Sequence, residues 1–230
     1  VIANAQKAGG VAAIIDADGN LGEANADNAN FAIYQNSKIY YYIDFDTAIS
    51  SAVNGVTITV LKSIEIEPLQ IEKTTLIIDL NGNKLTIVDS ISEQKNTSTY
   101  GIDFIGGTLT IKNGDIVDAR DSTDRKGSYT AVNSMGNLNI VDVDLTIYDA
   151  KNTSNSNNIG YRITSSQTLT ISGNSTITTN STTDADCGSV GVVVLGLGNM
   201  VNTTNLVLED NATISVGQYG ISGNGTIPGA

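Results

Sequence analysis

Across residues 100–117 the chain reads YGIDFIGGTLTIKNGDIV, with apolar and polar positions alternating. Counted in twos, Leu109, Ile111 and Ile116 fall inside while Thr108, Thr110 and Lys112 fall outside, which is the period of a β-strand. Gly106-Gly107 and Asn113-Gly114 supply the breaks, since Gly and Asn accept the backbone angles that a sharp corner needs. The pattern recurs as GNLNIVDVDLTI at 136–147, QTLTISGNSTI at 167–177 and TNLVLEDNATI at 204–214. Its anchoring leucines are Leu76, Leu109, Leu138, Leu169 and Leu206, separated by 33, 29, 31 and 37 residues. Self-similarity at such a period marks a repeat protein whose units bury their cores against one another.

The rest of the repeat falls into phase around those leucines. Short β segments at 101–105, 130–134, 160–164 and 190–195 precede the Leu-anchored strand, and a third strand follows each corner at 115–117, 144–148, 175–178 and 212–216. This predicts three strands per turn and one repeat per turn. Polar loops at 118–128, 149–158 and 180–189 leave the same corner and should cluster on one flank, where solenoids usually bind.

Upstream, residues 31–42 read as a hairpin turning at Gln35-Asn36-Ser37, with Tyr40, Tyr41 and Tyr42 half packed and half exposed. Residues 44–53 form the one convincing helix: Phe45, Ala48, Ile49, Ala52 and Val53 share a face, Asp44 or Asp46 can cap its start, and Asn54-Gly55 can end it. Such a helix would cover the open first rung. Residues 1–30 stand outside the repeat as an extension, a helix and a strand at 11–15 followed by a polar linker at 20–30. Residues 31–230 form the solenoid, with its capping helix at about 44–54.

The succession of helix, TITVLKSIEIE, TLIIDLNGNKLTI and YGI…GGTLTIKNGDI resembles right-handed parallel β-helix domains of bacterial surface and adhesin-like proteins, of the broad pectate-lyase-like architecture. The likeness covers roughly residues 31–227. It implies an all-β fold, a right-handed parallel β-helix with a short N-terminal capping helix. Residues 2–16, AQKAGG followed by IDA, resemble a helix–strand segment of RecA-type recombinases. No phosphate-binding loop accompanies them, and no ATP site is carried over.

Composition narrows the function classes. The chain has 230 residues, 40% of them apolar, yet no Trp and only 5% aromatics, so its core must rely on stacked Ile, Leu and Val. A net charge of −12 repels a phosphate backbone and argues against nucleic acid as a partner. His is absent, and Cys187 is the single cysteine. That removes disulfides within the chain, Cys/His zinc sets and every His-based dyad. No run of eighteen apolar residues is present to span a membrane. The chain opens Val-Ile-Ala without Met, which reads as a mature product or an excised fragment.

Three sets of residues could carry chemistry. A β-helix polysaccharide lyase or hydrolase would use clustered acids, often with Ca²⁺ and a basic residue. The candidates are Asp118, Asp121 and Asp124 with Arg120 and Arg125, and Asp149 with Lys151 one turn later. Asp142 and Asp144 point to the same face of a strand, but Asp142 matches the Asn113 corner and Asp210 lies near the equivalent corner, so they read first as turn chemistry. Asn96, Asn152, Asn174, Asn180, Asn202, Asn211 and Asn224 begin Asn-x-Ser/Thr triplets and are candidate glycosylation sites. Finally, YGISGNGTI begins another rung, so Tyr219, Gly220, Ile221 and Ile227 are candidates for end-to-end self-association. The expected function is a non-catalytic module secreted to the cell surface, adhesin-like or a structural building block, with a host or matrix glycan or protein as partner. The alternatives are a head-to-tail filament subunit and a polysaccharide-degrading or phage tailspike-like enzyme.

Overall fold

The computed structural model describes residues 13–15, 21–23, 27–88, 100–120, 129–147, 157–164, 166–179, 188–196, 204–217 and 219–223. In chain order the elements are β1 (Ala13–Ile15), β2 (Leu21–Glu23), β3 (Phe31–Gln35), β4 (Lys38–Tyr42), α1 (Phe45–Ser51), β5 (Thr57–Val60) and β6 (Ile64–Ile66). There follow β7 (Leu69–Asp79), β8 (Lys84–Ile87), β9 (Tyr100–Asp118), β10 (Tyr129–Ser134), β11 (Asn137–Ile147) and β12 (Asn157–Thr164). The last are β13 (Thr168–Ser172), β14 (Thr176–Thr179), β15 (Gly188–Leu195), β16 (Asn205–Leu208), β17 (Thr213–Ser215) and β18 (Tyr219–Gly223).

From β5 onward the chain is a parallel β-solenoid with three strands per turn, as the repeat predicts. Each turn adds one strand to each of three columns, and the repeat sets the register. In the first column Leu69, Ile102, Val132, Tyr161, Val192 and Ile221 stand in line. In the second, Ile58, Ile78, Ile111, Ile140, Ile171 and Leu208 do so, with Leu76, Leu109, Leu138, Leu169 and Leu206 beside them. In the third, Ile64, Leu85, Ile116, Leu145, Ile177 and Ile214 are aligned. Interior members of these ladders are fully buried, so the core is a column of branched aliphatic side chains.

The corners differ from the reading of the sequence in one respect. β9 runs as one strand through both Gly106-Gly107 and Asn113-Gly114, although its pairing with the neighbouring turns skips Gly107 and Asn113. The neighbouring turn explains the glycines: a Cβ on Gly106 would lie 1.8 Å from the Lys73 carbonyl oxygen and one on Gly107 2.4 Å from that of Thr74. Only a bare backbone passes there.

The first column holds a second close passage. In every turn the pairing skips one residue: Gly101, Ala131, Gly160, Gly191 and Gly220 each fall between paired neighbours. The kink turns two successive residues inward. A Cβ on Gly160 would meet the side chains of Leu145 and Ile177 in the third column, and one on Gly191 would meet Ile214. The first of the two inward residues must therefore be small.

The open first turn is covered by the hairpin, where the sequence reading gave that role to the helix. β3 lies antiparallel on β5, and β4 lies antiparallel on β3. Helix α1 packs alongside, burying Phe45, Ala48 and Ile49, with Phe45 stacked on Phe31 at 4.6 Å between ring centroids. Asp44 is the N-cap, its carboxylate accepting from the Thr47 N–H at 2.7 Å. Val53, assigned to the buried face from its spacing, is 52% exposed. The helix ends at Ser51, so by residue 53 the chain has left the helical phase. Residues 21–23 also depart from expectation: they form a strand in place of a linker, because β2 pairs antiparallel with β1.

Candidate functional site

Where the third column hands over to the first, Ile87, Asp118, Ile147 and Thr179 stand in register. Asp118 thus occupies a place in line with two core isoleucines, and it is buried. A carboxylate there needs a partner. Arg120, two residues on, supplies it as a fork: Nε donates to Asp118 Oδ1 at 2.7 Å and Nη2 to Oδ2 at 2.6 Å. Nη2 also donates to the Thr130 carbonyl at 2.8 Å, and the guanidinium lies 4.7 Å from the Tyr129 ring centroid. Nη1 is buried and has no hydrogen-bond partner among the described residues. Asp118 therefore sits on the flank the sequence singled out, with its carboxylate facing Arg120. Asp121, Asp124 and Asp149, with Arg125 and Lys151, lie outside the described residues.

A second polar row runs up the first column. Gln70, Asp103, Asn133 and Arg162 are in register over four turns. Asp103 accepts from Gln70 Nε2 at 3.4 Å and from Asn133 Nδ2 at 2.7 Å. Arg162 donates to the Tyr100 hydroxyl and packs over its ring. The sequence reading missed this row. Its signal is the residue two places after each small residue of the kink, visible only once the kink is known.

The corner between the second and third columns confirms that Asp142 and Asp210 act as turn residues. Asn81, Asn113, Asp142 and Asp210 all have left-handed backbone, with φ of 53°, 60°, 53° and 57°. Their side chains tie turn to turn: Asp142 Oδ1 accepts from the Asn174 N–H at 2.9 Å, and Asp210 Oδ2 from the Gly173 N–H at 3.0 Å. Asp144 accepts from the Thr176 hydroxyl at 2.6 Å. Asp79 accepts from the Asn81 N–H and Asn113 Nδ2 and pairs with Lys112 at 3.1 Å. Burial works against the Asp79 charge, but these donors outweigh it and hold its carboxyl below the ordinary value.

Two candidate glycosylation sites belong to this corner. Asn174 and Asn211 are exposed, one turn apart, and Asn211 Nδ2 donates to Asn174 Oδ1 at 3.1 Å. Asn96, Asn152, Asn180, Asn202 and Asn224 lie outside the described residues.

At the capped end a cleft of about 370 Å³ opens between α1 and the first turn, floored by Phe31, Phe45 and Ile66. Asp44, Asp46, Glu65 and Glu67 border it. Burial, then the charges of Asp44 and Glu67, raise the Asp46 carboxyl above its ordinary value. Among the described residues no three His, Cys, Asp or Glu side chains are grouped to hold a metal ion. No helix among them is long and apolar enough to cross a membrane. At the opposite end Tyr219, Gly220 and Ile221 are exposed in the last rung, and Ile227 lies outside the described residues.

Comparison of the chain with protein-family models, with curated proteins and with solved structures finds no significant match.

Proposed function

We propose that this chain is a non-catalytic structural module of the cell exterior, a rigid β-solenoid that spaces or presents its loop flank. The observation that carries the reading is the use to which its carboxylates are put. Asp79, Asp103, Asp118, Asp142, Asp144 and Asp210 each accept a hydrogen bond from another residue of the solenoid, most of them from the neighbouring turn, Asp118 from a buried position and Asp142, Asp144 and Asp210 at the exposed surface. A general acid or base must instead present its carboxyl to a substrate. Here acids that could cleave a glycosidic bond serve as brackets between turns. The exterior location is supported by the acidic composition and by the resemblance to surface β-helices.

The test is a pair of screens on the full chain. One incubates it with a panel of neutral and acidic polysaccharides, with and without Ca²⁺, and measures new reducing or unsaturated ends. The other measures retention on immobilised glycans and matrix proteins. Retention without cleavage supports the module, and release of chain ends above the no-protein control refutes it.

A further inference from the structure

We propose that the cleft beside α1 binds a linear aliphatic diamine, seating its two ammonium groups on acids of opposite walls and its methylene chain on the apolar floor. The inference goes beyond the structural-module reading and does not depend on it.

It starts from two short stretches of sequence with one pattern. Asp44-Phe45-Asp46 opens α1, and Glu65-Ile66-Glu67 runs from β6 into the corner before β7. In each, an apolar residue stands between two acids. Folding drives Phe45 and Ile66 inward, to 5% and 6% exposure, and leaves all four acids exposed. The helix lies beside the first turn, so the two triplets meet as the walls of one cleft with Phe31 at its floor. The corner between β6 and β7 is only Glu67 and Pro68, so this turn has no loop of its own to fill the space.

Three properties of the cleft select the ligand. Its volume, about 370 Å³, lies within the range of small-molecule sites, about 300–1,000 Å³. Its lining holds four carboxylates and no Lys or Arg, so it favours a cation. Those carboxylates do not converge on one point: among the described residues no three acids are placed to hold a metal ion. A compact ion would leave most of them unanswered, whereas an extended cation charged at both ends reaches both walls. Between the walls the floor is Phe31 stacked on Phe45, with Ile66 beside them. Methylenes lie well on such a surface while the charged ends stay in water, as the stems of Lys side chains do.

The two walls already act on each other. Burial raises the Asp46 carboxyl, and the charges of Asp44 beside it and Glu67 on the opposite wall raise it further. An ammonium group between Asp46 and Glu67 replaces that repulsion with two attractions. Asp44 contributes less, because its Oδ2 already accepts from the Thr47 N–H and hydroxyl.

An NMR titration of the isotopically labelled full chain with cadaverine, a linear diamine, tests the site, with pentylamine and Ca²⁺ as comparison ligands. Saturable shifts are expected at Phe45, Ile64 and Ile66, with none at Leu206 and Ile214 at the far end. Pentylamine reaches one wall only and should bind about fivefold more weakly or worse. Ca²⁺ at the same concentration should not displace the diamine. Asp46→Asn and Glu67→Gln should each weaken diamine binding about two- to fivefold, the worth of one exposed ion pair. Both positions are exposed, and an unchanged spectrum away from the cleft confirms that each variant folds. Glu209→Gln removes the same charge at the opposite end of the solenoid and should leave the affinity as it is. No saturable shift at the cleft, equal affinity for the monoamine, displacement by equimolar Ca²⁺, or an equal loss in Glu209→Gln overturns the proposal. None of these bears on the structural-module reading, which polysaccharide cleavage alone would sink.

Discussion

Gly160 lies directly beneath the backbone of Gly191: a Cβ built on Gly160 would stand 2.6 Å from the Gly191 carbonyl oxygen and about as close to the core methyls of Leu145 and Ile177 as any packed side chain allows. The kink that repeats through the first column is therefore a steric requirement. Gly160→Ala should lower stability by about 1–3 kcal/mol, the usual range for forcing atoms into a packed interior, and Gly160→Val by more. The equivalent position one turn earlier is Ala131, fully buried, so Ala131→Gly should cost only about 1 kcal/mol. Chemical denaturation of the three variants checks the order. A Gly160→Val chain as stable as the wild type would contradict the account.

Asp118 and Arg120 make a second prediction. Removing one member of a buried ion pair leaves the other uncompensated, at a cost of about 3–5 kcal/mol, whereas replacing both with apolar residues is often neutral. Asp118→Ile restores the aliphatic line between Ile87 and Ile147 but strands the Arg120 charge. The single variant should be strongly destabilised, and Asp118→Ile with Arg120→Leu should recover most of the loss. A double variant no better than the single would mean that the pair does more than neutralise itself, and would return Asp118 to consideration as a binding residue.

The sequence disclosed the columns because stacking in register forces one residue type to recur at one phase. The leucine spacing alone located the second column, and the strands on either side followed from it. It also disclosed the turn role of Asp142 and Asp210, since few residues other than Gly, Asn and Asp tolerate left-handed backbone. The buried pairing of Asp118 was not legible: an Asp two residues before an Arg in a polar stretch reads as solvent-exposed. Its burial depends on Ile87 and Ile147, 31 residues before it and 29 after it. The row of Asp103, Asn133 and Arg162 escaped for a related reason. Strict alternation breaks at the kink, where two neighbouring side chains turn inward, so a count in twos assigns the following residues to the wrong face.

Tyr161 is the one aromatic in the line Ile102, Val132, Tyr161 and Val192, and its side chain is fully buried, with no hydrogen-bond partner for the hydroxyl among the described residues. Burial, with a contribution from the Asp144 charge, pushes the phenol far above its ordinary value. An orphaned buried hydroxyl costs about 1–3 kcal/mol. Tyr161→Phe keeps the ring and removes that penalty, so it should stabilise the chain by about 1 kcal/mol or more. Equilibrium unfolding measures it. A loss of stability on removing the hydroxyl would show that the group is satisfied in solution.

Asp79 sets how this corner responds to acid. Its folded carboxyl lies below the ordinary value because Asn113, Lys112 and the Asn81 N–H hold the charged form. A group whose folded value is depressed contributes stability that is complete above its unfolded value, about 3.9, and is lost as pH falls through the folded value. Asp79→Asn should therefore lower stability at pH 7 by about 1 kcal/mol at most, the range for a partly exposed pair. For a chain of this size that corresponds to about 2–4 °C in Tm. The gap between variant and wild type should hold from pH 7 down to about pH 5 and then close progressively below pH 4, as the wild-type carboxyl takes up its proton. Lys112→Met should show the same closing, because it removes the partner of the same charge. Thermal unfolding of the three chains between pH 3 and pH 7 decides it. A gap that widens in acid would assign the Asp79 contribution to its shape in the turn, with the charge playing no part.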